Sequence, residues 1–177
     1  FPDPQLTARY RGQLAERAPG KRWLALHLSS RVATGRWPAE KFVRLIELLS
    51  ALPQLGFALF WSPGDADNPT HPGDDEKAME ILRGGSRHCV VALRTARLEE
   101  LIAGLAACDA FVGGDGGAMH VAAALGLPIV ALFENSDAKR RHWYPWSLPH
   151  CLLQPDTFAV EDIPVDAVYA AAVKLLV

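Results

Sequence analysis

The run Phe111-Val-Gly-Gly-Asp-Gly-Gly-Ala-Met-His-Val-Ala-Ala-Ala-Leu-Gly-Leu-Pro-Ile-Val-Ala-Leu-Phe133 reads as an apolar strand, a glycine-rich turn, a helix and a second apolar strand. That order commits the chain to an α/β architecture. Four glycines surround one carboxylate, Asp115. A glycine turn that opens a helix exposes bare backbone N–H groups where the helix N-terminus is partly positive, which is the chemistry of an anion site. The expected ligand carries phosphate.

The same alternation extends along the chain. Trp23 to Leu28, Phe57 to Trp61, Cys89 to Ala92, Ala110 to Val112 and Ile129 to Phe133 are short runs rich in apolar residues, and Cys151 to Leu153 is a weaker one. Helices are expected from Trp37-Pro38 to about Leu52, over Asp74 to Leu82, Leu98 to Ala107, Ala118 to Leu125 and Val160 to Leu176. Strands that are apolar throughout are buried on both faces, so these six predict a parallel, doubly wound, Rossmann-like sheet. Ligands of such sheets bind beyond the strand C-termini. The loops Ser29 to Arg36, Ser62 to Gly73, Gly113 to Gly117 and Glu134 to Trp146 are therefore expected to converge.

Length and composition narrow the function classes. With 177 residues, half of them hydrophobic, the chain suits one well-buried core. Net charge is −2 and the 18 Lys and Arg residues are dispersed, which argues against nucleic acid as a partner. No apolar run reaches the length of a membrane span, so a soluble, cytoplasmic protein without membrane insertion is expected. Three scattered cysteines, Cys89, Cys108 and Cys151, fit reduced core thiols. The start Phe1-Pro-Asp-Pro, followed by a polar stretch to Arg17, looks like a linker feeding a first helix over residues 1–20, as in a fragment of a longer protein.

Each candidate motif also has a plainer interpretation. The glycines of the 113–117 turn would merely permit φ > 0 in a tight connection, with Asp115 as N-cap of the following helix. A dinucleotide fingerprint is excluded, since it belongs to the first strand–helix turn and this turn comes late. Asp115 would repel a diphosphate, so a functional Asp115 points to sugar hydroxyls or caps the helix while the backbone holds phosphate. His120, one helical turn on, either faces the same ligand or packs under the loop. Asp65-Ala-Asp67 matches a D-x-D metal pattern that arises often by chance, and His71 and His88 lack zinc spacing with the cysteines, so no metal is expected. Asp74-Asp75-Glu76 would complement a helix dipole. Trp143-Tyr-Pro-Trp146 is expected to pack its tryptophans on the domain edge, and Lys139-Arg-Arg141 suits either a phosphate role or plain surface.

Asp115-Gly-Gly-Ala-Met-His-Val-Ala-Ala-Ala-Leu-Gly-Leu-Pro128, with the apolar strand and Trp/Pro-rich loop after it, resembles the signature of glycosyltransferase family 9, the family of the ADP-heptose:lipopolysaccharide heptosyltransferases. Leu26-His-Leu-Ser-Ser-Arg31 and Gly35-Arg-Trp-Pro-Ala-Glu-Lys-Phe42 extend the resemblance over most of the chain. It implies a GT-B enzyme of two Rossmann-like halves. Residues 21–177 would form the C-terminal, nucleotide-sugar-binding half, and the N-terminal acceptor half would be absent from this chain. Ser29 and Ser30 would contact donor phosphate, Asp115 and His120 would lie at the donor sugar and phosphates, and Gly116 and Gly117, in the turn with Gly114, would offer N–H groups.

Four departures from the family pattern accompany this resemblance, one of them Gly116, which stands where the motif has Ser or Thr after the Asp and so removes a hydroxyl. Gly35 stands where the family has a lysine before Arg-Trp-Pro, leaving Arg31 or Arg36 to supply positive charge. Asp65 takes the place of a ribose-binding glutamate, and Glu134 that of a glycine after the fifth strand. The implied function is the donor-binding domain of a bacterial, inverting transferase that moves a sugar, with heptose from ADP-heptose as the leading donor, to a lipopolysaccharide core or similar glycan, without cofactor. Its general base would lie in the other half, at the cytoplasmic face of the inner membrane, so that the fragment binds without turnover. The alternatives are a catalytically inactive nucleotide-sugar-binding module, or another nucleotide-sugar enzyme such as an epimerase.

Overall fold

The computed structural model describes residues 1–69 and 72–176. The expectation for His71, and positions 70 and 71 of the Ser62 to Gly73 loop, lie outside the described residues. The elements are α1 (Pro4–Arg17), β1 (Arg22–His27), α2 (Ala39–Leu49), β2 (Leu55–Phe60), α3 (Asp75–Gly84), β3 (Val90–Ala92), α4 (Leu98–Leu105), β4 (Ala110–Gly114), α5 (Gly117–Ala124), β5 (Ile129–Leu132), α6 (Asp137–Trp143), β6 (His150–Leu153) and α7 (Val165–Leu176), with short 3₁₀ turns at Ala33–Gly35 and Val160–Asp162.

All six strands pair in parallel, in the order β3-β2-β1-β4-β5-β6. Side-chain alternation splits β1 between two cores. Leu24 and Leu26 pack on one face with Phe42, Leu45 and Ile46 of α2, Ile81 of α3 and Val168 of α7. Trp23 and Ala25 pack on the other with Leu14 of α1, Leu105 of α4 and Met119 of α5. The sheet is thus covered on both faces, as its apolar strands require. Each fully buried Leu or Phe in these cores contributes about 1.5–3 kcal/mol, more than any exposed ion pair, so the cores set the positions of the loops.

Local signals account for the start of α1 and of α7. Asp3 caps α1 by accepting from the Leu6 N–H at 2.8 Å, and Pro4 occupies the first helical position. Helix α1 packs against α4. The last helix departs from expectation: Ile163 is extended (φ −60°, ψ 121°) before Pro164, and α7 begins only at Val165. A residue preceding proline disfavours the helical region, so the 160–176 run splits in two. Among the described residues no helix is long and apolar enough to cross a membrane.

Candidate active site

Sheet order reverses between β1 and β4, where His27 lies in register with Gly113. The loops leaving these two strands diverge and open a crevice at their C-terminal ends. A cleft of about 530 Å³ lies there, lined by Ser29, Ser30, Arg31 and the segment 114–118, with Ser62 and Pro72 from the loop after β2. Three of the four expected loops converge on it, whereas the Glu134 to Trp146 loop contributes no lining residue and meets the glycine turn only through Lys139 and Asp115. His27 also lines the cleft and stacks on Phe111 with ring centroids 6.3 Å apart. Burial, with the Lys77 ammonium adding to it, pushes the His27 imidazole down to about 4, so it is neutral at pH 7.

The glycine turn departs from its plainer interpretation in two respects. None of its four glycines takes a left-handed backbone, and Gly116 is extended at φ 171°. They are glycines for want of space or for access. A Cβ on Gly113 would lie 2.7 Å from the Phe111 ring, and one on Gly114 would lie 3.3 Å from the Gly35 carbonyl oxygen, whereas Gly116 and Gly117 border open space. Nor is Asp115 the N-cap. Its N–H still bonds the Leu132 carbonyl oxygen at 3.1 Å, which keeps it in the sheet ladder, and Gly116 caps α5 with no side-chain bond. The first N–H groups of α5 have no acceptor within the helix. Bare backbone donors therefore sit where the dipole is positive, at the cleft.

The Asp115 carboxylate instead meets Lys139, 3.5 Å away. The expected loop from Glu134 to Trp146 contains α6, capped by Ser136, which accepts from the Lys139 N–H at 3.3 Å. Lys139 also pairs with Glu134, and Glu134 accepts the Thr34 hydroxyl. Glu134 is only 4% exposed. Burial alone would raise its carboxyl, but the Lys139 and Thr34 hydrogen bonds bring it below the usual range. Partial burial works against the Lys139 ammonium, yet Glu134 and Asp115 raise it above the ordinary value. Thr34, Glu134, Lys139 and Asp115 thus join the loops after β1, β4 and β5. The sequence singled out each of the last three separately; an acid closing an apolar strand five residues before a lysine is the signal that pairs two of them.

Of the remaining candidates, Ser29, Ser30 and Arg31 line the cleft, and Arg36, Asp65 and His120 lie outside its lining. Ser29 Oγ accepts from the Ser62 N–H at 2.8 Å, and Ser30 Oγ accepts from the Val32 N–H at 3.2 Å. A Cβ on Gly35 would come within 2.6 Å of Ser30 Oγ, so glycine there makes room for the hydroxyl. Arg36 lines a neighbouring cleft of about 760 Å³, where its Nη1 pairs with Asp74 at 3.3 Å and its Nε donates to the Ser30 carbonyl oxygen. Asp74 is therefore occupied by Arg36 rather than merely complementing a dipole. Asp75 accepts from Trp61 Nε1 at 2.7 Å and from the Gly64 N–H, and the Trp61 bond leads in lowering its carboxyl.

Lys77 reaches the Leu28 carbonyl oxygen, and burial pushes its ammonium down to about 8. The Asp65 side chain is exposed on the loop after β2, outside the lining of the smaller cleft. His120, exposed on α5, meets Trp143 edge-on at 5.9 Å. The tryptophans do not pack on the domain edge as expected: Trp143, at the end of α6, and Trp146, beyond it, stand 55% and 74% exposed.

The sequence model of glycosyltransferase family 9 (heptosyltransferase) matches residues 3–154. The chain is 32% identical over 98 residues to the lipooligosaccharide heptosyltransferase 2 of Haemophilus influenzae, covering 55% of this chain and 27% of that protein. Among solved structures, E. coli ADP-heptose lps heptosyltransferase II is similar with a TM-score of 0.77 at 23% identity, over 99% of this chain and 52% of that one. E. coli heptosyltransferase WaaC with ADP gives 0.68 at 18% identity, over 89% and 45%. The chain spans about half the length of these solved structures, and at such identities the likeness is one of fold. The matched region runs from the cap of α1 through β6 and takes in every loop of the cleft: this chain belongs to glycosyltransferase family 9.

Proposed function

We propose that this chain is the donor-binding half of an inverting glycosyltransferase that transfers heptose from ADP-heptose to a lipopolysaccharide core or similar glycan. The observation that carries this reading is the pairing, at the switch point of the sheet, of a hydroxyl-bearing loop, Ser29 and Ser30, with the glycine turn that opens α5. Backbone N–H groups of Gly116 and Gly117 bind the diphosphate, and Asp115 turns its carboxylate to sugar hydroxyls. The solved relative WaaC carries ADP, which supports a nucleoside diphosphate at this cleft.

In transfer with inversion, the acceptor hydroxyl attacks the anomeric carbon as the bond to the diphosphate breaks. The residues of this half stabilise the departing charge by preorganised hydrogen bonds. The general base that takes the hydroxyl proton belongs to the acceptor half, at the cytoplasmic face of the inner membrane. The chain alone therefore binds donor without turnover.

Thermal unfolding of the chain with ADP, UDP, GDP and NAD tests this reading. At about a hundredfold over its dissociation constant a ligand adds roughly 2.7 kcal/mol, or on the order of 5–10 °C for a domain of this size. ADP is expected to give the largest rise. A larger rise with UDP or GDP would reassign the donor, and no rise with any nucleotide would overturn the reading.

A further inference from the structure

The proposed diphosphate site contains a carboxylate in its own glycine turn, and Asp115 is largely buried there, with 17% of its side chain exposed. An uncompensated charge at that depth would repel the ligand that the neighbouring N–H groups attract. Of the cations near the cleft, neither arginine is paired with it. Arg36 is committed to Asp74, whose side chain is 1% exposed, and withdrawing it would strand a buried charge. Arg31 lines the cleft but is exposed, and among the described residues it makes no ion pair with Asp115. Lys139 is different. Its ammonium already lies 3.5 Å from Asp115, is held on its other side by Glu134, and keeps about a third of its side chain open to solvent.

We infer that Lys139 is the cation that binds the donor diphosphate, held at the glycine turn by Glu134, which acts as a positioning residue. This assignment rests on the donor-site reading above. An ammonium has three N–H donors, so Lys139 can hold Glu134 and Asp115 and still offer one to a phosphate oxygen. Glu134 is itself fixed by the Thr34 hydroxyl from the loop that carries Ser29 and Ser30, so the cation is set relative to both walls of the cleft. The site thereby recovers a counter-charge that Gly35 does not supply, from a loop on the opposite side of the switch point.

Calorimetric titration of the chain with ADP tests this, using Lys139→Met, Lys139→Arg and the double variant Lys139→Met/Glu134→Gln, each with its melting temperature. Lys139→Met is expected to weaken ADP at least about tenfold, the scale of one charge-assisted hydrogen bond, and Lys139→Arg to recover most of the loss. The double variant, which leaves no charged carboxylate at 134 without its cation, is expected to melt near the parent and still bind ADP weakly. That separation of binding from stability is what a merely structural staple would not produce. ADP affinity within twofold of the parent in Lys139→Met, or restored in the double variant, would overturn the assignment while leaving the donor site standing. Absence of ADP binding by the parent chain would overturn both.

Discussion

Asp74 is nearly inaccessible and has Arg36 for its charged partner, so the two behave as one unit. Truncating one member of a buried pair costs more than the pair contributes, because the other is left charged in a poor solvent. Arg36→Ala is expected to lower the unfolding free energy by about 3 kcal/mol, read as a reduced urea midpoint at unchanged slope. Arg44→Ala, which breaks a pair exposed at 59% and 43%, should change it by less than about 0.5 kcal/mol. Equal losses would show that burial does not set the cost. The sequence marked Arg36 for its place before Trp37-Pro38 and offered it to a phosphate; nothing local indicates that a partner 38 residues along faces it.

At the scale of elements, β4 shows why a glycine need not be there for its backbone freedom. A methyl group on Gly113 would press into the Phe111 ring, which is fully buried, and within 3.2 Å of His27 Cβ. Overpacking of this kind costs roughly 1–3 kcal/mol, so Gly113→Ala should lower the melting temperature by about 2–10 °C, whereas Gly117→Ala, with open space around it, should be milder in stability. The opposite ranking would mean that the turn, not the strand, is the tight place. The βαβ alternation was legible because strands and helices differ in period over a few residues. Helix α6 was not, since its seven residues carry no apolar stripe, and only the Ser136 cap and the basic last turn announce it.

For the molecule as a whole, His27 couples stability to pH. Its folded value of about 4 lies below the ordinary imidazole value of about 6.5, so between these limits the unfolded chain binds a proton that the folded one does not. Stability therefore rises with pH through this window and is lost as pH falls from 6.5 towards 4. Urea midpoints taken across that range should fall more steeply in the parent than in His27→Gln, and imidazole resonances should place His27 near 4. A His27 that titrates near 6.5 would remove this contribution.

The sequence by itself determined the six strands and most of the helices, the parallel sheet, the glycine turn at a strand end and the resemblance to a transferase family. All of these rest on periodicity, turn residues and motifs that span a few neighbouring positions. Tertiary structure alone decided that β1 and β4 flank the switch point, that Arg36 belongs to Asp74, and that Lys139 stands between Asp115 and Glu134, with Thr34 bonded across 100 residues. Charges and hydroxyls find partners through the packing of both cores against the sheet, and a linear pattern carries no record of which loops that packing brings together.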